Sequence, residues 1–400
     1  MRHRRKRRAA VVMTLILATT SCSTDSPPPA PSAAGTAASS SPPPPLSSSA
    51  PPATVPPDCV TTTLDGLSLD ERVGQVLMVG TSVNSPSGLI DEIHRHHLGG
   101  VFLHGRSSHR AVELRADIND LQERAELPLL VSLDQEGGSV QTLKGPDFPI
   151  IPSAQRLGSG PAATLRTTTA DSARRLAGIG VNVNLAPVAD TVPTSVGRDN
   201  PPIGAFRRQY GSDPAKVANA IRTIVPASQD LGVLTVIKHF PGLGRVRANT
   251  DTSTKAVDTT TTVSDPYLGP FKAGIDAGTA SVMMSSASYP RLDRSAIAAF
   301  SKPIITGLLR DRLGFDGLVI SDDLGAGVAV SGVPVGQRAV RFVAAGGDMV
   351  LTIRPADAAP MSAALRAQAG KDPAFRTRLD DAARHVLQAK AKVGVLRCDR

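Results

Sequence analysis

Ionisable side chains gather just past the ends of five apolar runs. Asp134, Gln135 and Glu136 follow residues 127–133, Asp190 follows 181–186 after a short Pro187-Val188-Ala189 link, and Lys238-His239 closes 233–239. Ser285-Ser286 ends 280–285, and Asp322-Asp323 follows 317–321. A carboxylate so placed can act as nucleophile, general acid or general base, depending on what its surroundings do to its pKa. A Lys-His pair supplies hydrogen-bond donors. Any one of these residues alone reads equally well as a helix cap or a solvated loop residue, and Asp190 is assigned to that class as a cap or salt-bridge residue. Five together point to a site.

The elements that must position them are strands alternating with helices. Apolar, β-branched runs recur at 73–80, 100–104, 127–133, 181–186, 233–239, 280–285, 317–321 and 348–353. Helical spacing separates them at 111–125, 162–178, 214–231, 303–313 and 336–345. This pattern predicts an α/β fold with a parallel sheet. Eight strand-helix units in one domain suit a (β/α)8 TIM barrel, in which catalytic groups stand at the C-terminal ends of the strands. A doubly wound open sheet is the second candidate, because spacing alone does not show closure.

The chain ahead of the barrel has a different character. Arg2, Arg4, Arg5, Lys6, Arg7 and Arg8 precede an apolar run at 9–18 and small residues up to Cys22, which reads as a signal peptide over 1–21 and an exported protein. The twin-arginine motif is absent beyond the arginines themselves. The Leu17-Ala18-Thr19-Thr20-Ser21-Cys22 ending resembles a lipobox, so Cys22 is the expected lipidation site and the membrane is expected to be met only through that anchor. Residues 23–57 are almost entirely Pro, Ser, Ala and Thr with one charge, Asp25, which makes 22–58 a disordered tether too polar to fold. The barrel is assigned to 59–400. With Cys22 lipidated, Cys59 and Cys398 remain to bracket the domain, and export permits a disulfide between them.

Several functions are excluded by the composition. The formal charge of +9 falls to +3 from Cys22 onward, with 38 basic against 35 acidic side chains, so a nucleic-acid partner loses its support. Nine Phe, three Tyr and no Trp leave little for aromatic platforms, and polar groups are expected to hold the ligand. His94, His96 and His97 lack a Cys or carboxylate at ligand spacing. No glycine-rich phosphate loop follows the first strand, and no Gly-x-Ser-x-Gly elbow occurs. No metal, no cofactor and a monomer are the expectations.

Residues 308–325, Leu-Leu-Arg-Asp-Arg-Leu-Gly-Phe-Asp-Gly-Leu-Val-Ile-Ser-Asp-Asp-Leu-Gly, resemble the nucleophile signature of glycoside hydrolase family 3. Ile237-Lys238-His239-Phe240-Pro241-Gly242 is similar to the substrate-binding turn of that family's bacterial β-N-acetylhexosaminidases. So are Asp134-Gln135-Glu136-Gly137-Gly138 with Phe148-Pro149, and Gly74-Gln75-Val76-Leu77-Met78. The likeness runs from about Leu67 to Val395. It implies a retaining hydrolase that removes β-linked N-acetylglucosamine, or a related β-sugar, from cell-wall-type glycans or their fragments. Retention needs a carboxylate nucleophile and a proton donor, about 5 to 5.5 Å apart when both are carboxyls. Asp322 matches the family's nucleophile. Asp323, on the other side of the pleat, is read as structural. Asp134, Lys238 and His239 match residues that bind the sugar's hydroxyls, and Arg208 matches the arginine after strand four.

The resemblance breaks at the acid/base. The family carries a His-Phe-Pro-Gly-His-Gly turn and then an Asp-Ser/Thr-His element whose His shuttles the proton. Here Leu243 replaces the second histidine of the turn, and residues 248–253 read Ala-Asn-Thr-Asp-Thr-Ser. Asp251 stands where the later element has its His and is the candidate acid/base, on a mobile loop where an apolar neighbourhood would have to raise its pKa. The alternative is a surface sugar-binding protein on the same barrel, weakly active or inactive. Ser139 and Thr142 stand where arginines are usual, and Lys144 and His104 are candidates to reach the pocket.

Overall fold

The computed structural model describes residues 57–397. The signal peptide, nearly all of the tether, Cys22 and Cys398 lie outside the described residues. Cys59 is disulfide-bonded.

Eight parallel strands form the sheet: β1 (Leu77–Ser82), β2 (Gly100–His104), β3 (Leu130–Leu133), β4 (Val183–Asn184), β5 (Leu234–Phe240), β6 (Ser281–Met284), β7 (Leu318–Ser321) and β8 (Val350–Thr352). Each pairs with its sequence neighbours and β8 returns to pair with β1, Leu77 opposite Val350. The remaining junction is bridged at Ile320 and Met349. Three backbone bonds reinforce it, Ser321 N to Met349 O at 3.0 Å, Met349 N to Val319 O at 3.0 Å and Asp348 N to Val319 O at 2.8 Å. Closure decides for the barrel over the open sheet.

Alternation along the strands accounts for its two cores. Met78, Phe102, Leu130, Val183, Leu234, Val236, Met283, Ile320 and Leu351 pack together inside the barrel. Their strand neighbours, including Leu77, Val79, Val101, Val131, Ile237, Val282 and Val319, join the larger cluster beneath the helices. Val386 and Ala389 of the last helix, Pro373–Lys392, belong to the interior cluster.

The helices at 111–124, 162–178 and 214–229 fall where the spacing predicts, with ends shifted by at most two residues. The first strand differs from expectation. Val73, Gly74 and Gln75 end the helix Leu69–Gln75 instead of opening β1. Its start is a reciprocal cap, Glu71 N to Ser68 Oγ at 3.3 Å and Ser68 N to Glu71 Oε2 at 2.7 Å. The Ser-x-x-Glu spacing carried that signal.

Candidate active site

Asp134 leaves β3 and the chain folds at once into a hairpin, Gln135–Gly137 against Val140–Gln141. Gly137 makes the turn at φ 100°, and a Cβ there would lie 2.6 Å from the Pro152 carbonyl. Residues i and i+2 of an extended segment share a face, and Asp134 and Glu136 accordingly both reach the Lys238 ammonium of β5, each at 2.6 Å. Glu136 also accepts two bonds from Arg208, at 2.7 Å from Nη2 and 2.9 Å from Nε. Burial by itself would raise the Glu136 carboxyl, but Arg208 and Lys238 outweigh it and hold it down at about 2. Asp134 and Glu136 in turn keep the Lys238 ammonium and the Arg208 guanidinium charged against burial. Two carboxylates and two cations therefore balance, and Lys238 keeps one N–H beyond its two ion pairs.

Asp190, wholly buried, works on His239. Its Oδ2 lies 2.7 Å from Nδ1 of the ring, and its Oδ1 accepts from the backbone of Leu243 at 2.7 Å and of His239 at 3.2 Å. The salt-bridge role expected of Asp190 thus has a specific object, since a carboxylate on Nδ1 leaves Nε2 for a ligand.

Asp322 follows β7 directly, and its backbone N–H bonds Met284 O of β6 at 3.1 Å. Burial pushes its carboxyl up from the ordinary value, His239 opposes this, and the Asp251 charge adds to the push. Asp323 turns away into backbone: its Oδ1 accepts from Gly325 and Ile353 at 2.8 and 3.0 Å, and its Oδ2 from Ala326 at 3.0 Å. That is the structural role expected of it.

One cavity of about 370 Å³ unites these groups. Asp134, Arg208, Lys238, His239, Asp251 and Asp322 all line it, over an apolar floor that includes Phe102, Leu185, Met283 and Leu351. Phe102, not His104, faces it, and neither Lys144 nor Ser139 is among its walls. Asp251 is exposed, not set in apolar surroundings. Its segment is tied to the loop after β7, with Val328 N to Asp251 O at 3.3 Å and Ala329 N to Thr250 O at 3.0 Å. The histidine cluster stands elsewhere, His97 paired with Glu126 at 2.5 Å and His96 with Glu92 at 3.3 Å.

Carboxylates and hydrogen-bond donors around a cavity at the C-terminal mouth of a closed (β/α)8 barrel define an enzyme-type TIM-barrel site. The chain belongs to glycosyl hydrolase family 3, its residues 68–389 matching the Glycosyl hydrolase family 3 N terminal domain. It is 45% identical to the crystal structure of a β-N-acetylhexosaminidase from Beutenbergia cavernae, with a TM-score of 0.79 over 81% of this chain and 99% of the other. It is 34% identical to a β-hexosaminidase of Xanthomonas oryzae over 66% of this chain and 79% of that protein. A β-N-acetylglucosaminidase/β-glucosidase of Cellulomonas fimi is 31% identical over 84% of this chain, which spans 60% of that relative's length.

Proposed function

We propose that the chain is a retaining glycoside hydrolase that removes β-linked N-acetylglucosamine, or a related β-sugar such as glucose, from cell-wall-type glycans or their fragments. The observation that carries this reading is Asp322, a carboxyl at the end of β7 sharing one cavity with Asp134, Lys238 and His239. Asp134 accepts hydrogen bonds from the sugar's far hydroxyls, and the free N–H of Lys238 and Nε2 of His239 serve the same ring. Asp322 attacks the anomeric carbon and forms the glycosyl ester as Asp251 protonates the departing oxygen. Asp251 then takes a proton from the water that releases the sugar. Asp251 lines the same cavity and acts electrostatically on Asp322, which supports the pairing. The names of the relatives support the choice of sugars.

The test is p-nitrophenol release from the β-N-acetylglucosaminide and the β-glucoside by the full chain, D322A and D251A. Turnover lost in D322A and greatly reduced in D251A supports the mechanism. A folded wild type that turns over neither leaves the surface sugar-binding alternative in its place. We further place the protein outside the cell, held by lipid on Cys22. Membrane fractionation of wild type against C22A tests this, and retention of the C22A chain in the membrane would refute it.

A further inference from the structure

We propose that Phe206 is the platform on which the leaving group, a second pyranose ring, is held. This rests on the hydrolase reading and says what that site accepts beyond the sugar it cleaves off. Of the twelve aromatic side chains in the chain, Phe206 alone is exposed, at 49%. The other eleven are buried or half-buried in the packing of the barrel.

Its place is the rim of the cavity. Phe206 ends a short 3-10 turn, Gly204–Phe206, between Pro202 and Arg208, both of which line the cavity although Phe206 itself does not. The backbone there is specifically held. The Phe206 carbonyl accepts from Ser139 Oγ at 3.4 Å, beside the cavity-lining Val140. The next residue, Arg207, adopts a left-handed φ of 58°, and its carbonyl accepts from Gln155 N at 3.2 Å. Arg106, following β2, bonds the Ser139 carbonyl at 3.0 Å and gives the same rim a cation.

The direction of the substrate follows from the cavity itself. Its inner end is closed by Leu185, Met283 and Leu351 of the barrel interior, so a sugar seated against Asp134 and Lys238 has its leaving group pointing outward past the rim. A pyranose presents apolar C–H faces to such a ring. With 49% of its surface exposed, Phe206 keeps a face open to such a partner. On this proposal a second sugar lies over Phe206 and a compact aryl or methyl leaving group does not.

The experiment compares kcat/KM of the full chain and of F206A, F206L and F206Y on two substrates: the β-1,4 disaccharide of N-acetylglucosamine and its p-nitrophenyl monosaccharide. The expected result is a loss of about 5-fold on the disaccharide for F206A and F206L, recovery in F206Y, and no change on the aryl glycoside. Equal effects of F206A on both substrates, or no effect on either, would overturn the proposal. A wild type that cleaves only the aryl glycoside would overturn it as well. If the wild type cleaves neither, the hydrolase reading fails separately, and calorimetric titration with the disaccharide then decides for the platform: weaker binding by F206A upholds it, equal binding removes it.

Discussion

Two aspartates at opposite ends of the barrel show how one side chain is made to do different work. Asp348 lies at the N-terminal end, just before β8, and Asp322 at the C-terminal end, just after β7. Asp348 is surrounded by partners: Arg310 at 2.6 Å, His385 at 2.9 Å, the Val319 N–H at 2.7 Å and a close contact from Arg378. Burial would raise its carboxyl, but His385, Arg310 and Arg378 hold it at about 2. The Asp322 carboxylate accepts a hydrogen bond from the Asp323 N–H at 2.9 Å and is pushed up. The lower end spends its charges on one another and clamps the last strand. The upper end leaves a carboxylate without an ion pair, facing a cavity where a substrate can meet it.

The sharpest way to break this contrast is to neutralise each aspartate. D322N is expected to lose at least about 10⁴ in kcat and to melt no lower than wild type, because it removes a carboxylate that burial penalises. D348N is expected to lose about 3–5 kcal/mol of stability, since it takes the buried anion from three half-buried partners, with kcat per folded molecule unchanged. The Asp348 contribution is full above its ordinary value of 3.8 and disappears as pH falls toward 2. Denaturant titrations of both proteins at pH 6 and pH 3 check the sign. If D348N costs activity and D322N costs stability, the division of roles is wrong.

D251N comes next, and it sharpens the account of Asp322. Loss of a proton donor is expected to lower kcat by about 10² to 10⁴, most on substrates with poor leaving groups. Because the Asp251 charge pushes the Asp322 carboxyl up, removing it should also move the acid limb of kcat/KM to lower pH. A limb that stays in place would mean the two carboxyls do not sense each other. E136Q should act more gently, raising KM about 10-fold as Arg208 and Lys238 lose their shared anion, with a smaller change in kcat.

Lys390 gives the smallest effect and the purest contrast with Lys238. Both ammonium groups are buried, but Lys238 has two carboxylates while Lys390 has only the amide oxygen of Gln75. Burial lowers Lys390 from 10.5 to about 7. Between those values the unfolded chain binds a proton that the folded chain does not, so stability should rise with pH across this range. K390M should lack that rise, as melting at pH 7 and pH 10 would show.

Much of the site was legible because barrel strands run in sequence order and their ends carry the chemistry. Asp134, Lys238, His239 and Asp322 do share one cavity, as their positions after apolar runs predict. Glu136 went unassigned although its spacing from Asp134 placed both on one face. The missing information was its cation: Arg208 stands 72 residues away, and no local pattern joins them. Asp190 was read as a salt-bridge residue, but its partner His239, 49 residues distant, came only with the fold. Phe206 looks like any other phenylalanine until burial is known.

The order of strands and helices, the mouth of the barrel as the place for chemistry and the absence of the family's proton-shuttling histidine were all present in the chain as written. They are local facts, set by hydrophobic period and residue type. Closure between β7 and β8, the pairing of Glu136 with Arg208 and Lys238, and the opposite fates of Asp322 and Asp348 were decided by the tertiary structure. A buried charge takes its pKa from whatever stands within a few ångströms of it, and those neighbours come from strands that only the closed barrel brings together.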